Sequence, residues 1–222
     1  MEDLVLLILI LIIPGIASIG VNSNFNKYLK VKHKKGMTGQ EVARAILDKH
    51  GLQNVYVVAI DGKLTDHYDP KRKTVRLSKA IYEGTSIASI SVAAHECGHA
   101  IQDKENYSFF RIRSLIVKPV NIATTMSYFI ILVGILLEAM DLIYLGIGFT
   151  ALGLVFQLVT LPVEFNASKR AKEELSNMHI VSDEEKHGVK KMLSSAAMTY
   201  VAGILASLLQ IIRLLLAFNR KR

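Results

Sequence analysis

Five consecutive residues, His95-Glu96-Cys97-Gly98-His99, set two imidazoles four positions apart with a carboxylate between them. On a helix, residues four apart lie on one face, and two imidazole nitrogens at that spacing can converge on one tetrahedral zinc ion. Glu96 sits about 100° around the helix from His95, so it reaches a water on the metal rather than the metal itself. Zinc lowers the pKa of such a water toward ~7, and a neighbouring carboxylate can take its proton as it attacks a carbonyl. H-E-x-x-H on a helix therefore points to a hydrolase using one Zn2+, with His95 and His99 as ligands and Glu96 as general base. The plain alternative is a structural helix with two hydrogen-bonded core histidines. Cys97 points off the zinc face; with Gly98 it reads as small volume for close helix packing rather than as a nucleophile or ligand.

Zinc needs a third protein ligand. The histidines are His33, His50, His67, His95, His99, His179 and His187, and position 105, where a longer H-E-x-x-H motif would carry a third histidine, is Glu105. A carboxylate is the better expectation. Glu164 is favoured because two apolar spans separate it from His99, and an even number of crossings returns the chain to its starting side. Glu173 or Glu174 is the fallback. The plain reading of Glu164 is a carboxylate well placed at a helix start just after Pro162. A tetrahedral oxyanion also needs a donor besides the metal. Tyr200, His67 and Arg170 are candidates; a satisfied buried hydroxyl, a turn-fixing imidazole and a lipid-phosphate contact are their plain alternatives.

The elements that must position these groups are partly membrane-borne. Of the 222 residues, 51% are hydrophobic and 21% charged, with a net charge of +8, and the two classes are segregated along the chain. Leu4 to Val21 is free of charge and just long enough for the ~30 Å hydrocarbon layer. It lacks the basic start of a cleaved leader, contains Pro14, and is followed by Lys27, Lys30, Lys32, Lys34 and Lys35, which places its end inside. Pro119 to Ala139 and Leu142 to Leu161 form a helical hairpin with an acidic outer turn at Glu138 and Asp141. Ala196 to Ala217 contains Arg213 and precedes Arg220-Lys221-Arg222. Spanning would place that basic tail outside, against the positive-inside rule, so re-entry or an interfacial position with Arg213 snorkelling is the competing expectation.

Between the spans, Thr38 to Gly51 reads as an amphipathic helix with a Thr38/Glu41 capping box. Val55 to Ile60, Lys63 to Tyr68 and Thr74 to Leu77 read as a small meander turned at Asp61-Gly62 and Asp69-Pro70. An exposed edge at Thr74 to Leu77 could pair with an extended substrate. Ser86 to Gln102 is the buried motif helix, with Ser86 or Thr85 as its cap. The expected fold is thus mainly α with a small β-meander (α+β): a membrane protein with three or four transmembrane or re-entrant helices. Its segments are a transmembrane helix (1–21), a catalytic region (22–115), a membrane hairpin (116–163), the Glu164 helix completing the catalytic domain (164–195) and a membrane-associated or core helix (196–222). One cysteine excludes an intrachain disulfide. The basic clusters adjoin apolar spans, which favours the lipid bilayer over nucleic acid as partner. Asn121, Tyr128 and Gln157, polar groups within spans, read as interhelical hydrogen bonders.

The runs Leu64-Thr65-Asp66-His67-Tyr68-Asp69-Pro70, Val75-Arg76-Leu77-Ser78, Val92 to Ala100, Leu161 to Ser168 and Ala196 to Ala202 resemble the YugP-type membrane zinc metallopeptidases of bacteria, over nearly the whole chain. More distantly they are similar to HtpX-type and CAAX prenyl proteases. The resemblance implies a gluzincin-like site with Glu164 as third ligand, but no substrate carries over with it. The first functional reading is a membrane-bound endopeptidase of the cell membrane acting on membrane-associated proteins or peptides at the cytoplasmic surface, because Glu164 abuts the third span. Those distant relatives carry an aspartate four residues after the glutamate, where this chain has Ser168. The competing functional classes are a membrane scaffold or regulator retaining a structural zinc, true intramembrane proteolysis, and transport. The last would require paired charges in the spans, and the second and third spans have none.

Overall fold

The structure, a computed structural model, describes residues 2–219. Seven helices and three strands follow in the order α1 (Glu2–Leu29), α2 (Gly39–Lys49), β1 (Tyr56–Ile60), β2 (His67–Asp69), β3 (Thr74–Ser78), α3 (Lys79–Tyr82), α4 (Ile87–Lys104), α5 (Ser108–Leu136), α6 (Met140–Asn177) and α7 (Asp183–Asn219). The fold is mainly α with one small sheet, and four of the helices are long and apolar enough to cross a membrane. The chain divides into two units: residues 19–110 with 163–197, and residues 1–18, 111–162 and 198–222.

The first unit holds the main core. Val42, Ile46 and Leu47 of α2 are buried with Val75 and Leu77 of β3, Ile87, Ile90 and Ile101 of α4, Leu175 of α6 and Leu193 of α7. Each such side chain contributes roughly 1.5–3 kcal/mol on burial. The capping box at α2 forms as its sequence dictates: the Thr38 hydroxyl accepts from the Glu41 amide at 3.2 Å, and the Glu41 carboxylate accepts from the Thr38 amide at 2.8 Å.

The sheet departs from the meander. Its order is β1-β3-β2, with β1 parallel and β2 antiparallel to β3. Asp61-Gly62 therefore closes no hairpin. The chain leaves β1 and crosses to the far side of β3, where the Asp66 carboxylate accepts from the Ser78 amide (2.7 Å) and hydroxyl (3.0 Å). That contact, between residues 12 apart, outweighs the local preference of Asp-Gly for a tight turn. The tight connection lies one strand later, where the Asp69 carboxylate accepts from the amides of Lys71 and Arg72. Because β3 is the central strand, Thr74 to Leu77 offers no free edge for a substrate.

The second unit contains the apolar segments. Leu4, Leu11 and Ile16 of α1, Leu115, Ile122 and Phe129 of α5, and Leu152 and Val155 of α6 are exposed, as lipid-facing residues are. α5 and α6 are joined by a short turn with Glu138 at φ 54°. Phe218 near the end of α7 packs with Ile143 and Ile147 near the start of α6. Arg213 donates to Asp3 through Nε (2.8 Å) and Nη2 (3.3 Å). The start of α1, the start of α6 and the end of α7 thus gather at one end of this unit. Ala196 to Ala217 is helical throughout, and Arg213 pairs with Asp3. The tail Arg220-Lys221-Arg222 lies outside the described residues.

Candidate metal centre

α4 carries the motif and is built to be buried. The Ser86 hydroxyl caps it by accepting from the Ser89 amide at 3.1 Å. Ala88, Ser89, Ser91, Ala93 and Ala94 are buried along it, so small side chains let neighbouring backbones approach. At Gly98 a β-carbon would lie 2.7 Å from the Ala167 carbonyl oxygen and 3.1 Å from the Ala167 Cα. This contact presses α6 against α4 one turn from His95. Cys97 faces the other way, its buried thiol directed at the Ala43 carbonyl of α2 at 3.5 Å, and burial pushes its pKa up. It is a packing residue.

Pro162 does not end α6; the helix runs through it, so Glu164 lies mid-helix rather than at a helix start. A proline removes one intrahelical hydrogen bond but does not by itself halt a helix held by its neighbours. The reading of Glu164 as a helix-terminal carboxylate therefore falls away. Its Oε2 lies 3.2 Å from His95 Nε2 and 3.6 Å from His99 Nε2. The two rings meet edge to face with centroids 4.8 Å apart. One ligand atom from each of His95, His99 and Glu164 falls within 4.8 Å of the others, and Glu164 is only 4% exposed. Glu173 and Glu174 are engaged elsewhere, Glu173 with Lys169, and Glu174 with Lys49 and His50.

Both rings are held from behind. Ser168 Oγ lies 3.2 Å from His95 Nδ1, and Gln102 Oε1 lies 3.0 Å from His99 Nδ1. Ser168 thus stands against His95 with a neutral hydroxyl. Both Nε2 atoms are turned toward one carboxylate, giving two imidazole nitrogens and one oxygen, the donor set of an open zinc site. The residues present therefore fit the ion.

Glu96 is 7% exposed beside this cluster. Burial pushes its carboxyl up to about 7; nearby Glu164 and Asp66 add to the rise, while His95 and a Tyr68 backbone N–H oppose it. β2 thereby reaches Glu96 through its main chain. The Tyr68 side chain anchors the strand by donating to Asp103 at 2.8 Å, and Lys73 donates to the same oxygen at 2.7 Å.

His67 and Arg170, two of the remaining candidates, have partners of their own. His67 is exposed on β2 with Nδ1 2.8 Å from the Thr65 carbonyl, as a turn-fixing imidazole would be. Arg170 directs Nε to Asn166 and Nη2 to Glu105, so those donors are engaged. Tyr200 belongs to the α7 segment of the membrane unit. Gln102, Asn166 and the Tyr68 amide escaped the sequence reading. The signal for the first two was spacing: Gln102 lies three residues after His99, and Asn166 two after Glu164 and four before Arg170.

The family model described as "Putative neutral zinc metallopeptidase" matches residues 3–219. A Bacillus subtilis (strain 168) protein titled "Putative membrane protease YugP" is 48% identical over 206 residues, covering 93% of this chain and 92% of that one. No solved structure matches.

Proposed function

The chain belongs to the neutral zinc metallopeptidase family whose model it matches, and from that premise we propose that it is a membrane-bound zinc metalloendopeptidase of the gluzincin type. The observation that carries this reading is the convergence of His95, His99 and Glu164 beside a buried Glu96. His95 Nε2, His99 Nε2 and a Glu164 oxygen would hold one Zn2+. When bound, zinc supplies Lewis acidity toward the scissile carbonyl and toward water. Glu96 takes the proton of the attacking water on its carboxylate and hands it to the leaving amine nitrogen. Ser168 and Gln102 keep the two rings in place behind the ligand atoms. Tyr200 and His67 remain the proposed donors to the oxyanion, and Tyr200→Phe and His67→Gln separate them by their effect on kcat.

The substrates we propose are proteins or peptides that are themselves membrane-associated, met at the cytoplasmic face of the cell membrane. The lysines that follow the first span, Lys27, Lys30, Lys32, Lys34 and Lys35, support that orientation. Three protein ligands with a carboxylate beside them favour a catalytic over a closed structural site, which takes four.

Metal analysis and proteolysis of a general protein substrate test the reading. Glu96→Gln is expected to retain stoichiometric zinc and lose at least about 1,000-fold in hydrolysis, the scale on which removing a central catalytic group acts. Glu164→Ala is expected to lose the zinc. Equal activity of wild type and Glu96→Gln removes Glu96 as the base, and unchanged metal content in Glu164→Ala removes Glu164 as a ligand.

A further inference from the structure

Behind His99 lies a chain of hydrogen bonds whose direction can be read from one end to the other. It begins at Arg170, a guanidinium that only donates. Its Nη2 donates to Glu105 at 2.6 Å, and its Nε donates to Asn166 Oδ1 at 2.8 Å. The atom that Asn166 presents must therefore be its oxygen. That same oxygen lies 2.9 Å from Gln102 Nε2, which also lies 2.8 Å from the Val163 backbone carbonyl. Two acceptors on one atom require it to be the Gln102 NH2 group. Its oxygen then faces His99 Nδ1 at 3.0 Å, and Gln102 is wholly buried, so no solvent competes. An amide oxygen only accepts, so the proton sits on Nδ1. With its proton kept on Nδ1, Nε2, the nitrogen turned toward Glu164, is the one left to carry a lone pair to a metal.

His95 differs. Its Nδ1 meets the Ser168 hydroxyl, which can donate or accept. Nothing along that contact sets a direction.

We propose that Arg170, acting through Asn166 and Gln102, is a positioning residue that holds the proton of His99 on Nδ1, so that Nε2 is the nitrogen that binds the metal. This deepens the zinc-site reading and rests on it for its consequence, but not for its geometry. In this relay Asn166 is used only as an acceptor, through one oxygen. Replacement by aspartate keeps that oxygen, whereas replacement by leucine, of similar size, removes it. A role confined to packing would not distinguish the two.

The experiment uses the full chain in detergent. Histidine-selective 15N NMR of the metal-free protein reads the tautomer, and chelator competition reads zinc affinity. The wild type and Asn166→Asp are expected to show His99 protonated on Nδ1 and to bind zinc within about threefold of each other. Gln102→Leu and Asn166→Leu are expected to lose the single tautomer and bind zinc about 10–100-fold more weakly, the usual effect of removing a partner of a ligating histidine. Arg170→Lys, which retains an obligate donor, should bind better than Arg170→Met. The proposal is overturned if wild-type His99 lacks a proton on Nδ1, or if Asn166→Asp weakens zinc as much as Asn166→Leu. Unchanged affinity in Gln102→Leu also overturns it. A wild type that holds no zinc yet shows the Nδ1–H tautomer would sink the peptidase reading and leave the relay standing. Tight zinc binding indifferent to all these variants would do the reverse.

Discussion

In the unit formed by residues 19–110 and 163–197, polar groups of the candidate site are buried. Glu96, His99, Gln102 and Glu164 are each less than a tenth exposed, and Gln102 contacts three different residues through its one amide. In the unit of residues 1–18, 111–162 and 198–222, hydroxyls mostly turn back on their own helix. Thr124 donates to the Val120 carbonyl, Thr125 to Asn121, Ser127 to Thr124 and Thr150 to Gly146. Such a bond satisfies the hydroxyl without any partner helix. Polarity in the first unit therefore specifies geometry, and losing one group strands others; polarity in the second is largely self-contained. A substitution should cost more in the first unit than its nominal equivalent in the second.

The largest difference is expected in the pH dependence of the metal-free protein. Glu96 has its carboxyl raised to about 7 by burial, against ~4.3 for an unfolded glutamate. Between those values the folded state holds a proton that the unfolded chain has released, so stability falls as pH rises from about 4.5 to about 7. A shift of this size corresponds to the order of 3 kcal/mol. Thermal unfolding of metal-free wild type and Glu96→Gln across that range should show the decline in the first and its loss in the second. Parallel curves would mean that Glu96 does not hold a proton in the folded state across this range. No spanning segment should yield a comparable slope when a neutral polar residue is replaced.

A smaller and cleaner contrast lies between two helical glycines. At Gly98 an added methyl would meet the Ala167 backbone, whereas at Gly148 nothing lies within 4 Å. Alanine is otherwise the better helix former by about 1 kcal/mol. Gly98→Ala should therefore lose roughly 1–3 kcal/mol through overpacking and weaken zinc binding as α6 is pushed from α4. Gly148→Ala should be neutral or slightly stabilising. Equal midpoints for the two variants in thermal unfolding would dismiss the α4–α6 contact as a determinant of the site.

What the sequence made legible follows the range of the interactions involved. His95, Glu96 and His99 are set by spacing within one turn of a helix, and Glu164 by counting crossings, so both could be read without coordinates. The helices were legible from apolar runs and from the Thr38 and Ser86 caps. The sheet order was not, because the Asp66–Ser78 contact overrode the turn chemistry of Asp61-Gly62. The continuity of α6 through Pro162 was hidden for a related reason: local chemistry favours a break that neighbours can override. The pairing of Arg213 with Asp3 was hidden because the two lie 210 positions apart. Gln102 and Asn166 carry no motif at all; only the direction of their hydrogen bonds gives them meaning.

The smallest predicted effect is the sharpest test of the contrast between the units. Ser207 on α7 donates to Gln157 Oε1 on α6 at 3.0 Å, a hydrogen bond between two spans. On composition alone it invites comparison with Gln102, since both are glutamines binding across helices. Within lipid, however, polar groups freed by unfolding find other partners in the membrane, and such bonds are worth only about 0.6 kcal/mol on average. Gln157→Leu and Ser207→Ala should each lower the unfolding midpoint slightly, and the double variant should lose no more than either alone, because the two share one bond. Zinc affinity should be unaffected in all three. If Gln157→Leu proved as costly as Gln102→Leu, or if it released metal, polarity in the spans would be no more self-contained than polarity at the site, and the contrast between the two units would fail at its simplest point.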